Sequence, residues 1–213
     1  MRKRIGIFCI SLGIACLMFA LGFILYNQYE AKNAEKDSRE LLGELQKTID
    51  KNKSDNQEND IGESTDLTQD SVTPNNIKKD MTTVKVDGYD CIGILSIPVL
   101  ELELPVLSEW SYAKLKKAPC HYYGSYYEKD FVIAAHNYTS HFGKLSRLKV
   151  EDIVIFTGAD GISRYYEVIL LETLPQNATE EMITSGFDLS LYTCTLGGNN
   201  RVTVRCNLID INK

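Results

Sequence analysis

Three residues of this chain have types and settings suited to acyl transfer: Cys194, His136 and Arg201. Cys194 ends the apolar run Leu189-Ser190-Leu191-Tyr192-Thr193 and precedes the turn Leu196-Gly197-Gly198-Asn199-Asn200. A strand end beside a glycine-rich loop gives a nucleophile a rigid support and an open face. A strand cysteine taken alone more often packs as a small hydrophobe. Its company argues otherwise. His136 ends Phe131-Val132-Ile133-Ala134-Ala135, again at a strand-to-loop edge, where an acid or base can reach a substrate. His121 and His141 compete with it, but His121 follows Pro119-Cys120 without a supporting strand and His141 lies inside a loop containing Gly143. Arg201 opens Arg201-Val202-Thr203-Val204-Arg205 across the turn from Cys194, so its guanidinium can donate to a carbonyl oxygen that becomes an oxyanion. Strand alternation puts Arg205 on the same face, as a second candidate.

These residues need a scaffold of strands. From about Met81 onward, short Val/Ile/Leu/Tyr-rich runs alternate with turn residues, at 91–97, 102–107, 131–135, 152–157, 164–172, 189–195 and 201–209. Seven or eight short strands with few helices predict a mostly β domain, a barrel or a sandwich. Short helices are expected at 109–117, 144–148 and 179–183, the first ending before Pro119.

The region before residue 81 has a different purpose. Residues 5–25 are apolar and uncharged, long enough to cross a bilayer as a helix, and Arg2, Lys3 and Arg4 precede them. The positive-inside rule places the N-terminus in the cytoplasm and the remainder outside, which gives a single-pass protein of the cell membrane. A cleaved signal peptide fits less well: the run exceeds the usual h-region and no clear A-x-A site follows. Leu41, Leu42, Leu45 and Ile49 recur at helical spacing, as in an amphipathic stalk helix. Residues 51–79 are nearly all polar and read as a disordered tether. The expected organisation is therefore an anchor at 1–27, a polar stalk and flexible linker at 28–80, and a catalytic domain at 81–213. A net charge of −6 gives no support to nucleic-acid binding.

Of six cysteines, Cys9 and Cys16 lie in the anchor; Cys91, Cys120, Cys194 and Cys206 lie outside it, and spacing selects no pairing among them. There is no C-x-x-C pair, and three scattered histidines disfavour zinc. Glu101, Glu103, Glu151 and Asp152 form no EF-hand-like loop and read as solvated charges, so calcium is without support and no cofactor is expected. Tyr122, Tyr123, Tyr126 and Tyr127 cluster before the His136 strand, where they could line a groove, but most read as surface or core aromatics.

Leu191-Tyr192-Thr193-Cys194, a short loop, then Arg201-Val202-Thr203-Val204 resembles the L-x-T-C signature and arginine-led strand of sortases. Three further stretches agree in order: Ile92-Gly93-Ile94-Leu95-Ser96-Ile97-Pro98 with Leu104-Pro105-Val106-Leu107; Val132-Ile133-Ala134-Ala135-His136-Asn137; and Phe142-Gly143-Lys144-Leu145-Ser146-Arg147-Leu148 leading to Asp152-Ile153-Val154. The chain departs from the family pattern at Ala135, where many sortases have Gly, and at Ser190, where the fuller motif has Thr. Its Cys-to-Arg loop is also short and glycine-rich. The resemblance implies an eight-stranded β-barrel with Cys194 as nucleophile, His136 as acid/base and Arg201 as oxyanion partner, assisted by the backbone N–H of Thr195. It also implies that Thr193, Thr195, Ala135 and Asn137 border the substrate. Partners would be proteins with an L-P-x-T-G-like sorting signal and an amine acceptor, either a lipid-linked cell-wall precursor or a pilin lysine. The short 172–189 segment disfavours the class B insertion, whereas Phe142-Gly143-x-Leu145 is reminiscent of that class, and the class stays open. Two other functions compete: a cysteine peptidase acting by hydrolysis, against which the His-then-Cys order excludes a papain-like layout, and a tethered β-domain that only binds, which has no reason to combine Cys194, His136 and Arg201.

Overall fold

The computed structural model describes residues 2–58 and 80–210. After a long helix α1 (Arg2–Glu58), nine strands follow: β1 (Val84–Val86), β2 (Tyr89–Ile97), β3 (Leu102–Leu107), β4 (Cys120–Tyr123), β5 (Phe131–Ala134), β6 (Ile153–Gly158), β7 (Ser163–Pro175), β8 (Leu189–Cys194) and β9 (Asn200–Ile209). They pair in the order β1-β2-β3-β4-β5-β8-β9-β7-β6, and a β2–β6 pairing closes the ring. The result is a closed eight-strand barrel with few helices, to which β1 adds a hairpin on β2. One edge of β2 pairs with β1 as far as Cys91 and then, from Gly93, with β6. Gly93 sits at that switch with φ 154°, and a Cβ there would run into the Thr157 carbonyl oxygen, so only glycine allows the strands this close.

The barrel has two apolar layers because its strands alternate. Inside lie Leu95, Val106, Phe131, Ile133, Phe156, Val168, Leu189, Leu191 and Val204, with Phe142 and Leu145 of the Phe-Gly-x-Leu stretch packed into the same cluster. Outside, Val86, Cys91, Ile94, Leu107, Cys120 and Ala134 form a second cluster covered by Leu41, Leu45 and Ile49 of α1 and by Leu115 and Ala118. The stripe expected at 41–49 is therefore helical and has a partner. Burying those three side chains is worth roughly 5–9 kcal/mol before the entropy of docking is subtracted.

Two features differ from the sequence expectation. Residues 51–58, expected in the tether, continue α1; they contain no Gly or Pro, and a helix already fixed by docking extends at little cost. The rest of the expected tether, 59–79, lies outside the described residues. Short strands β1 and β4 are additional, so His121 does have a supporting strand. The smaller helices are α2 (Tyr112–Leu115), capped by Ser111 Oγ accepting from the Lys114 N–H at 3.1 Å, and α3 (Thr179–Ile183). Residues 145–147 form a 3-10 turn.

Candidate active site

Strand register brings the three candidate residues together. β5 and β8 run parallel, with Ala134 opposite Tyr192, and the Ala135 N–H donates to the Tyr192 carbonyl at 3.2 Å. Two residues beyond that pair stand Cys194, at the end of β8, and His136, just past the end of β5; neighbouring strands lie about 4.8 Å apart. β8 and β9 are antiparallel, with Cys194 directly opposite Arg201. Opposed residues share a face, so Cys194 and Arg201 continue a row that His136 begins just past the end of β5. Leu189, Leu191 and Thr193 point into the barrel; Tyr192 and Cys194 point out and are partly exposed.

His136 is half-buried, with its Nε2 shielded and without a hydrogen-bond partner, and its ring stacks on Tyr138 at 4.8 Å. Burial pushes its pKa below the ordinary imidazole value and the Lys116 charge acts in the same direction, while Glu30 opposes both. The ring is thus neutral at pH 7 and ready to accept a proton. The Arg201 Nη1 donates to the carbonyls of Gly198 at 2.8 Å and Asn200 at 3.1 Å. These bonds fix the guanidinium on the turn and leave its other N–H groups for an oxyanion.

The loop after His136 is held by its own backbone. Phe142 N–H donates to the His136 carbonyl at 3.0 Å, and Gly143 N–H to that of Tyr138 at 2.9 Å. Gly143 lies so close that a Cβ would meet the Asn137 carbonyl oxygen. Gly143→Ala is therefore expected to displace the 137–138 backbone and with it His136. Any turnover that depends on His136 should fall roughly tenfold or more, the scale on which a displaced reacting group is felt, while far-UV circular dichroism stays unchanged.

Several sequence expectations need correction or relocation. The Thr195 N–H donates to the Asn200 carbonyl at 2.9 Å and is not free for an oxyanion. Thr193 is buried, with its Oγ1 donating to the Ala135 carbonyl at 2.8 Å; both residues brace β5 against β8. Asn137 and the Thr195 side chain stay at the rim. Arg205, on the same face as Arg201, is only 1% exposed. It donates to Glu172, Ser190 and the Glu181 and Met182 carbonyls. It tethers α3 to the barrel and is closed to substrate. Both ring nitrogens of His121 sit within hydrogen-bond distance of carbonyls, of Ser108 and Gly124.

Cys91, Cys120 and Cys206 are free and buried, and burial pushes each thiol up to about 12. Cys91 and Cys120 both lie opposite Leu107, on either side of β3, too far apart across that strand for a disulfide. Among the described residues no group of three or more His, Cys, Asp or Glu is placed to hold a metal ion.

His141 is fully buried, and its pKa is pushed down to about 4, mainly by burial and further by His136. Its ordinary value is 6.5, so below pH 6.5 the unfolded chain binds a proton that the folded one refuses. Its contribution to stability is complete above that pH, falls between 6.5 and 4, and levels off below. The loss amounts to about 3 kcal/mol. The difference in urea midpoint between wild type and His141→Leu should therefore shift in favour of the variant from pH 7 to pH 4.

A groove adjoins the row, and of the tyrosines that the sequence offered for one only Tyr122 lines it. Trp110, Tyr122 and Tyr192 stand edge to face, at 6.0 and 5.3 Å between rings. With Tyr112, Pro175, Met182 and Arg201 they line a cavity of about 200 Å³. A larger cavity of about 300 Å³, between α1 and residues 101–104, Thr139, Ser140 and Lys144, has no cysteine or histidine in its lining.

The model of the sortase domain family matches residues 95–209. Among solved structures, the chain is similar to sortase A from Corynebacterium diphtheriae (lid mutant), with 26% identity over 56% of this chain and 70% of that one and a TM-score of 0.51. It is similar to sortase C of Streptococcus pneumoniae, with 27% identity over 59% and 71% and a TM-score of 0.50. It is also similar to sortase C1 from Streptococcus agalactiae, with 25% identity over 59% and 71% and a TM-score of 0.52. No curated protein matches it.

Proposed function

Because this chain belongs to the sortase family, we propose that it is a membrane-anchored cysteine transpeptidase that joins proteins bearing an L-P-x-T-G-like signal to an amine acceptor. The observation that carries this reading is the row His136–Cys194–Arg201 across β5, β8 and β9. Neutral His136 takes the thiol proton as Cys194 Sγ attacks the signal's scissile carbonyl carbon. Arg201 N–H groups stabilise the resulting oxyanion. The intermediate collapses, His136 returns the proton to the departing amine, and a thioester remains on Cys194. An incoming amine attacks that thioester, losing its proton to His136, and the thiol is regenerated. Side chains alone carry the chemistry.

The groove of Trp110, Tyr122 and Tyr192 beside Arg201 suits the apolar part of a signal peptide. Membrane anchoring is supported by the apolar helix at the N-terminus, with the basic residues 2–4 on the cytoplasmic side and the barrel outside the cell. The acceptor is a cell-wall precursor or a pilin amine; the likeness to the S. pneumoniae sortase C, whose own substrate specificity concerns pilins, supports the second.

The test incubates the full chain with a panel of L-P-x-T-G-like peptides, with and without an amine, and follows it by mass spectrometry. A peptide thioester that converts to an amine-linked product supports the proposal. Cleavage that ignores every amine would instead favour a hydrolase, and a folded protein inert to all peptides would favour a binding domain.

A further inference from the structure

α1 carries both the apolar run and the docking stripe on one unbroken helix. Between residues 10 and 29 every side chain is exposed, and packing against the barrel begins at Glu30. Glu30 accepts from Lys116 Nζ at 2.8 Å, Asp37 accepts from Lys117 Nζ at 2.7 Å, and Ala34 is buried. Tyr138, which stacks on His136, shares a small cavity with Glu30, Asn33, Ala34 and Asp37. The loop carrying the catalytic histidine is therefore docked at the lower end of the stripe, with Leu41, Leu45 and Ile49 farther along the helix.

Helix rise turns these contacts into heights. Leu25 ends the apolar run, and Glu30 stands five residues on, about 7–8 Å along the axis. Glu58 stands about 50 Å from Leu25, and a further 21 residues separate it from Asp80. Chain connectivity alone would thus start the barrel at the far end of a long helix. Docking folds it back toward the span instead. Tyr26 and Tyr29, both exposed between the apolar run and the docking stripe, suit a bilayer interface.

Resting on the membrane-anchored reading above, we infer that α1 is a strut of fixed length that holds the His136 end of the barrel at the bilayer surface. The enzyme then works on peptides and amines presented at the headgroups, within the reach that the strut sets. Holding both reactants within one thin layer raises their effective concentration without any new contact.

The chain has a single tryptophan, Trp110, just before α2 and the Lys116 contact, which serves as an energy-transfer donor. Full-length protein in nanodiscs containing a dansyl-headgroup lipid is compared with variants carrying seven or fourteen helix-forming residues inserted after Asn27. These insertions lift the docked barrel by about 10 and 21 Å without touching a docking contact. Transfer from Trp110 to dansyl should fall stepwise. Coupling to a lipid bearing a glycyl amine should fall at least tenfold with the longer insertion, while coupling to soluble glycine amide stays constant. Leu41→Asp with Leu45→Asp, which releases the barrel from α1, should make transfer weak and indifferent to the insertions. Energy transfer and lipid coupling that ignore the insertions in incorporated protein would overturn the strut but leave the membrane-anchored transpeptidase standing. A chain that fails to enter the discs would overturn both.

Discussion

Cys194→Ala should remove the peptide thioester entirely and lower transpeptidation by at least about 10⁴-fold, the scale on which a nucleophile's loss is felt when its partners act as a unit. Cys194 is partly exposed at a strand end, between His136 on one side and Arg201 on the other. The other barrel cysteines are buried, with thiols pushed up to about 12, so none can substitute for it. His136→Ala should cost a similar factor, and the double variant little more, because the base has no purpose without the thiol. Single-turnover assays with a labelled peptide distinguish these losses from weakened binding. The wild-type rate should also carry an acid limb below pH 6.5, since burial and Lys116 depress the imidazole's pKa. An adduct persisting on Cys194→Ala would move the nucleophile elsewhere and end the proposal.

The second large effect separates two arginines that the sequence treats alike. Arg205→Met should destabilise the barrel by about 3 kcal/mol, the low end for breaking a buried ion pair, because Glu172 keeps 31% side-chain exposure. That corresponds to a drop in melting temperature of about 10 °C. The substitution leaves Ser190 and the Glu181 and Met182 carbonyls without their donor and frees α3, which borders the aromatic groove. KM should rise while the surviving folded enzyme keeps most of its kcat. Arg201→Met should do the reverse. Its melting temperature should change little, because its bonds go only to two carbonyls of its own turn, one part-buried and one exposed, and its kcat should fall by roughly 10²–10³-fold, as for a lost oxyanion donor. Equal melting losses, or a larger kcat loss in Arg205→Met, would reverse the assignment.

The sequence alone determined most of the strands and which residue types are available for acyl transfer. Cys194, His136 and Arg201 are legible because each ends or begins a β-branched or apolar run beside a turn, and alternation along a strand is a local property. Gly143 is legible as part of a motif, although its reason, contact with the Asn137 carbonyl, is tertiary. β4 was not legible: its four residues, Cys-His-Tyr-Tyr, follow a proline, and pairing with β5 holds them extended. The 41–49 stripe announced a helix face but not its partner, since an apolar stripe records that something covers it and not what. Only the fold decided that Arg205 is spent on α3, that the Thr195 N–H is occupied, and that Trp110, Tyr122 and Tyr192 meet. Each of these depends on segments far apart in the chain, and hydrogen-bond occupancy and aromatic contact are settled when the barrel closes and α1 docks. Residue type and spacing specify which groups can react; closure of the ring specifies which of them are free to do so.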